Sequence, residues 1–195
     1  MQLPVLPENM PHGASRFWSI IGLWLLRIKG WRIEGELPNY KKAVLIVAPH
    51  TSNWDFVIGM AAKMAIRLQA NWLGKHTIFK GPANQIFRGW GGIPVERSSA
   101  HNMVDQVVEA FNSREKMWLG LSPEGTRGHV DKWKSGFWHI AKAAGAPILA
   151  ISFDYPRKTL IIGKSFVPGE DLKTDMAAIR SYFAEVGVGK IRSGE

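Results

Sequence analysis

Cysteine is missing from all 195 residues, which excludes disulfide staples and thiolate nucleophiles and suits a reducing compartment. No serine stands in a G-x-S-x-G elbow, so the strained turn that raises a serine nucleophile in many hydrolases is missing too. Acidic residues are scarce: 16 Asp and Glu face 25 Lys and Arg, a formal net charge of +9. That excess favours an anionic partner, whether nucleic acid, an acidic membrane surface or a phosphorylated substrate. The N-terminal apolar run, Phe17 to Leu26, is roughly half of the about 20 residues that span a bilayer. It also has neither the early basic region nor the small-residue cleavage site of a signal peptide. Repeats, low-complexity tracts and internal linkers are absent.

What is present is 46% hydrophobic, enough for one sizeable core and one domain. Nine tryptophans beside the excess of Lys and Arg suit a membrane–water interface, where the indole body and its N–H each find a suitable neighbour. In "SRFWSIIGLWLLRIKGWRIEG", helical spacing puts Phe17, Ile20, Ile21, Trp24, Ile28 and Trp31 on one face. Leu23 and Leu26 extend the apolar surface around the side, and Arg27, Lys29 and Arg32 close the run. Such a helix can lie in the interface with its cations at the headgroups, or pack on the core, or do each with a different face. Residues 1–30 are therefore expected to form an interfacial or core-packing helix, and residues 31–195 the main domain.

The remainder alternates strand and helix. Strands are expected at "AVLIVA" (43–48), after the loop in "GGIPVER" (91–97), in "MWLGLSPEG" (117–125), in "ILAISF" after Pro147, and in "KTLIIGKSF" (158–166). Helices are expected from Trp54 to about Leu68 with Asn53 or Asp55 at its start, at 102–113, at 136–145 with Gly145 as its stop, and at 172–186. The alternation predicts an α/β single domain, a mixed, mostly parallel sheet flanked by helices, preceded by the N-terminal apolar helix. Sites in such sheets gather beyond the carboxyl ends of the strands.

Three polar clusters fall at such ends: His50 and Asp55 in "APHTSNWDF", Glu96 and Arg97 after "GGIPV", and "PEGTR" (123–127). A histidine on a strand-end loop can act as a general base on a hydroxyl, and an aspartate on its other ring nitrogen would fix the tautomer and stabilise the imidazolium. With no protein nucleophile, such a pair implies direct attack by a substrate hydroxyl. Arg97 and Arg127 offer planar, permanently charged forks suited to phosphate. Each piece alone is common, and their order carries the argument.

"HTSNWD" (50–55), "GGIPVER" (91–97), "PEGTR" (123–127) and "GAPILAI" (145–151) stand in the order of the four motifs of the glycerolipid acyltransferases. The chain resembles that family, the PlsC-like or 1-acylglycerol-3-phosphate O-acyltransferase-like proteins, from about residue 30 to 165. The flanks "GWRIEGELP", "NWLGKHTIFKGP" and "KWKSGFWHIAKAAG" look like a small bacterial branch of it. The resemblance implies transfer of a fatty acyl group from acyl-CoA or acyl carrier protein to a hydroxyl of a lysophospholipid, with no metal and no cofactor beyond that co-substrate. By the same resemblance His50 is the base and Asp55 its partner. Arg97 and Arg127 bind the acceptor's phosphate, with Glu124, Gly125 and Thr126 of the third motif on the substrate side. Lys75 matches the lysine between the first two motifs, ahead of Lys80. Glu96 stands where relatives carry Asp, one methylene shorter. The partners implied are the lipid and thioester substrates, acyl carrier protein among them, and peripheral or monotopic association with the cytoplasmic face of a membrane.

Rival readings keep the acceptor open, a lyso-ornithine lipid for example, or make the chain a basic, non-catalytic lipid- or nucleic-acid-binding protein. The basic residues are spread along the chain without the aromatic–basic sheet pattern of an RNA-binding fold, and the intact His50 and Asp55 speak against a silent binder.

Overall fold

A computed structural model describes residues 3–13, 15–50, 52–81, 84–96, 100–125 and 133–186. Among the described residues, seven strands form one sheet: β1 (Arg32–Glu34), β2 (Lys42–Val47), β3 (Ala70–Lys75), β4 (Gly92–Val95), β5 (Met117–Leu121), β6 (Ile148–Asp154) and β7 (Thr159–Phe166). Their spatial order is β1-β7-β6-β2-β5-β3-β4. Every pairing is parallel except β6 with β7, a hairpin.

The strand side chains alternate between two cores. From β2, Ala43 and Leu45 join a cluster with Leu149, Ile151 and Phe153 of β6, roofed by α1 (Arg16–Lys29) and α2 (Asn53–Ala65). Val44, Ile46 and Ala48 point the other way, toward α4 (Ala100–Asn112), α5 (Gly136–Ala143) and α6 (Leu172–Val186). Because both faces are covered, β2 from Ala43 to Val47 and β6 from Ile148 to Ile151 read as apolar runs without polar alternation. The expected mixed, mostly parallel sheet flanked by helices is what forms.

The N-terminal helix has two characters. Ser15 caps its start, and Gly30 ends it at φ +71°, where the Gly30 and Trp31 N–H groups return to the Arg27 and Leu26 carbonyls. Its inner face, Gly22 and Leu26 with Leu23 and Leu25, packs on the core, while Phe17, Ile20, Trp24 and Ile28 are 58–65% exposed. Trp31, assigned from spacing to that outer face, is instead buried against Phe153 and Tyr155. It follows the Gly30 stop, so helical periodicity no longer governs it.

Other departures are local. Helix α2 ends at Ala65 rather than Leu68, and its cap is Ser52, not Asn53 or Asp55. Strands β1 and β3 were not anticipated, nor was α3 (Asn84–Gly89). "ANWLGK" carries Asn and Gly inside the strand and shows no alternation, and β1 has three residues. Pairing with β5 and β7 makes both into strands, not their own propensity.

Gly22 lets α1 approach α2 closely. A Cβ there would lie 2.5 Å from the Ala61 carbonyl oxygen and 2.7 Å from the Ala65 nitrogen. Gly22→Ala should therefore destabilise by about 1–3 kcal/mol through overpacking, outweighing the gain in helix propensity of up to about 1 kcal/mol. A thermal melt should show a Tm lower by several degrees, and an unchanged Tm would contradict the close contact.

Candidate active site

The carboxyl ends of β2, β5, β3 and β4 lie side by side along one edge of the sheet. Each carries part of a polar cluster: His50 just past β2, Lys75 at the end of β3, Glu96 just past β4, and Pro123 to Gly125 past β5. Parallel pairing achieves this, since it brings strand ends with the same polarity together.

The loop from His50 into α2 is organised by Asp55. Ser52, in extended conformation, accepts the Trp54 N–H on its hydroxyl at 3.2 Å, and its own N–H donates to Asp55 Oδ2 at 2.8 Å. This is a Ser-x-x-Asp capping box at the start of α2. The same Oδ2 lies 2.9 Å from His50 Nδ1. Tyr155 donates its hydroxyl to Asp55 Oδ1. Asp55 is only 2% exposed. Burial alone would push its carboxyl up, but the hydrogen bonds from His50, Tyr155 and the Ser52 N–H outweigh it and hold the group below its ordinary value.

A second carboxylate sets the main chain. The His50 N–H donates to both oxygens of Glu124 at 3.1 Å, and Ser122 Oγ donates to Oε2 at 2.8 Å. Glu124 is buried and turned toward the back of the His50 loop, so its visible work is to shape the site. Gly125 follows at φ +65°, with the Lys134 side chain 3.0 Å from where a Cβ would stand. Glu96 pairs with His76 Nδ1 at 3.0 Å.

With Nδ1 donating to the carboxylate, the neutral ring presents the lone pair of Nε2. His50 borders a cavity of about 1080 Å3 that Asp55, Lys75, Gly125 and Lys134 also line. Its wall is largely apolar and includes Phe56, Gly59 and Met60 of α2 together with Trp72 and Trp118. The stretches Trp54–Met64 and Gly136–His139 both contribute to its wall. Trp54 and Val57, however, face outward. Lys75 borders the cavity and Lys80 does not. Arg97, Thr126 and Arg127 lie outside the described residues.

Sequence reasoning missed Ser52, Ser122, Lys63 and Tyr155. The spacing Ser52-x-x-Asp55 could have revealed the capping box. Lys63, on the apolar face of α2, donates to the carbonyls of Ala70 and Trp90 at 2.6 and 2.5 Å, and burial lowers its ammonium to about 8. It ties the end of α2 to the strands beyond. Among the described residues, no cluster of three or more His, Cys, Asp or Glu could hold a metal ion.

A model of the Acyltransferase family matches residues 30–154. The chain belongs to the Acyltransferase family. Relatives named 1-acyl-sn-glycerol-3-phosphate acyltransferase are similar to it: those of Salmonella typhimurium and Escherichia coli K12 are 30% and 29% identical over 156 residues. Each alignment takes in 74% of this chain and 61% of the relative, so the chain spans about three fifths of the length of those curated proteins. The fold is similar to the crystal structure of the 1-acyl-sn-glycerophosphate (LPA) acyltransferase PlsC from Thermotoga maritima. The TM-score is 0.63 at 14% identity, covering 89% of this chain and 80% of that one. On this fold His50 and Asp55 both line the cavity, Asp55 buried and His50 partly so.

The lowered Asp55 carboxyl carries a sign for stability. A group depressed on folding stabilises above its unfolded value, here the ordinary 3.8, and loses that contribution as pH falls through the folded value. The Tm gap between the native protein and Asp55→Asn should be widest above pH about 4 and narrow below it. A gap that does not change with pH would mean that the carboxylate is not held in its charged form.

Proposed function

We propose that this chain moves a fatty acyl group from a thioester, acyl-CoA or acyl carrier protein, onto a free hydroxyl of a lysophospholipid, with 1-acylglycerol-3-phosphate as the acceptor. The observation that carries it is the His50–Asp55 pair in the wall of a large, mainly apolar cavity. It provides a proton acceptor where a hydroxyl can arrive and an apolar passage in which an acyl chain can lie.

In this reading His50 Nε2 takes the proton from the acceptor hydroxyl as its oxygen attacks the thioester carbonyl carbon. Asp55 stabilises the imidazolium that results. The tetrahedral intermediate then collapses: the C–S bond breaks, the ester C–O bond remains, and the imidazolium returns its proton to the leaving thiolate. Atoms and charge balance without a metal or redox cofactor. Lys75 in the cavity lining, with Arg97 and Arg127, supplies cations for the acceptor's phosphate. Gly125 lines the same cavity, Glu124 holds the His50 main chain, and Thr126 completes the motif assigned to the substrate side. The names of the relatives support the acceptor class.

Delivery of two lipid-like substrates favours peripheral contact with a membrane at the cytoplasmic face. No described helix is long and apolar enough to cross one. The outer stripe of α1 continues onto α2 through Trp54, Phe56 and Val57, each 41–46% exposed. Lys29 Nζ stands 4.5 Å over the Trp54 ring. Phe56 belongs both to this exposed face and to the cavity wall, so the exposed apolar surface and the cavity share a side chain.

His50→Ala should lower turnover by about 10²–10⁴ with the fold intact. The assay supplies acyl-CoA or acyl carrier protein with a panel of lyso-lipids and identifies products by mass spectrometry. Preferred acylation of a phosphate-free acceptor, such as a lyso-ornithine lipid, would contradict the assigned acceptor, and near-native turnover by folded His50→Ala would end the mechanism.

A separate assay tests the surface. Trp24→Ser with Ile20→Ser alters exposed side chains only, so the Tm should hold while cosedimentation with anionic vesicles weakens. The residual binding should fall further with salt, as about 1 kcal/mol per surface cation is screened. Undiminished binding would place the contact elsewhere.

A further inference from the structure

Beyond the four motifs, the turn joining β6 to β7 reaches into the site. Strand β6 runs parallel to β2, with Ile151 opposite Val47 and its carbonyl accepting the Ala48 N–H at 3.1 Å. The carboxyl ends of these two neighbours therefore emerge together, one carrying His50 and the other Tyr155.

We propose that Tyr155 is a positioning residue of the His50–Asp55 pair, its phenol holding Asp55 by Oδ1 so that Oδ2 stays aimed at His50 Nδ1. The inference rests on the reading of His50 as the base. A carboxylate can rotate about its Cβ–Cγ bond, and Oδ2 is shared by two donors from one short loop, His50 Nδ1 and the Ser52 N–H. A donor on the other oxygen, from the turn after β6, fixes the plane.

The phenol can do this because its own position is restrained. Its ring meets Trp31 edge-on, 5.0 Å between centroids at 90°, and Trp31 is 6% exposed. The turn beneath it is tied down by Asp154, whose side chain accepts the Arg157 N–H at 3.0 Å, and by the Lys158 N–H returning to the Tyr155 carbonyl at 3.1 Å. Arg157 reaches Glu34 at 3.2 Å, which fastens the turn to β1. Burial, then the bond to Asp55 and the charge of Asp55, raise the phenol well above its ordinary range, so it remains a donor wherever the reaction runs. Of the ionisable groups around the pair, Glu124 faces the His50 main chain and Tyr155 faces Asp55.

The test is Tyr155→Phe, which keeps the ring and removes the donor. Turnover should fall about tenfold, the share of a charge-assisted hydrogen bond that reaches the pair. The acid limb of the pH profile of kcat/KM should move to higher pH. Without the phenol the Asp55 carboxylate is more basic and holds the imidazolium proton more tightly. A fluorinated tyrosine placed at 155 is a stronger donor of nearly the same shape and should move the limb the other way. In the Asp55→Asn background the effect of Tyr155→Phe should largely vanish, because both changes act on one unit. An unshifted limb with native turnover would overturn the proposal, as would an equal loss in the native and Asp55→Asn backgrounds. Turnover retained by His50→Ala would also sink it, but by removing the base itself, a failure recognisably different from the other two.

Discussion

Asp55 is a carboxylate at 2% exposure in the first turn of α2. A charge so deeply withdrawn from water is stable only while donors surround it. The site can be understood from that requirement. The Ser52 N–H, the His50 ring and the Tyr155 hydroxyl meet the need, and in meeting it they set the start of a helix, orient an imidazole and connect two strands. Folding and the proposed chemistry thus share one set of hydrogen bonds. Glu124 repeats the device behind His50, where a second buried carboxylate accepts the His50 main-chain N–H twice and a serine hydroxyl once. Two neighbouring strand ends, those of β2 and β5, are thereby fastened through acids that ordinary cores avoid.

The apolar parts follow a similar economy. Helix α1 buries one face on α2 and leaves the other in solvent, and Gly22 brings the two backbones close. The exposed face and the cavity wall meet at Phe56.

Much of this was legible in the sequence. Unbroken apolar strands between amphipathic helices gave the α/β class, and "KTLIIGKSF" and the closing helix fell where periodicity put them. Polar residues at strand ends pointed to His50, Asp55 and Glu124 because local sequence places them after apolar runs. What stayed hidden depends on contacts distant in sequence. Strand β3 has an internal Gly and Asn and becomes a strand by pairing with β5. Trp31 follows a helix stop, so its spacing misassigned its face. Tyr155 is one hundred positions from Asp55, and only the adjacency of β6 and β2 brings them together. Lys63 looks like an ordinary helix lysine until the carbonyls of Ala70 and Trp90 fold around it.

The central claim is that Asp55 holds His50 by Nδ1 and leaves Nε2 as the basic nitrogen. Nitrogen-15 NMR of the ring-labelled protein measures this directly, with His50→Gln identifying the resonances. The account predicts that the neutral ring carries its proton on Nδ1, with Nε2 at the shift of an unprotonated nitrogen, and that Asp55→Asn disturbs that state. A ring protonated on Nε2 in the native protein, unaffected by Asp55→Asn, would contradict it.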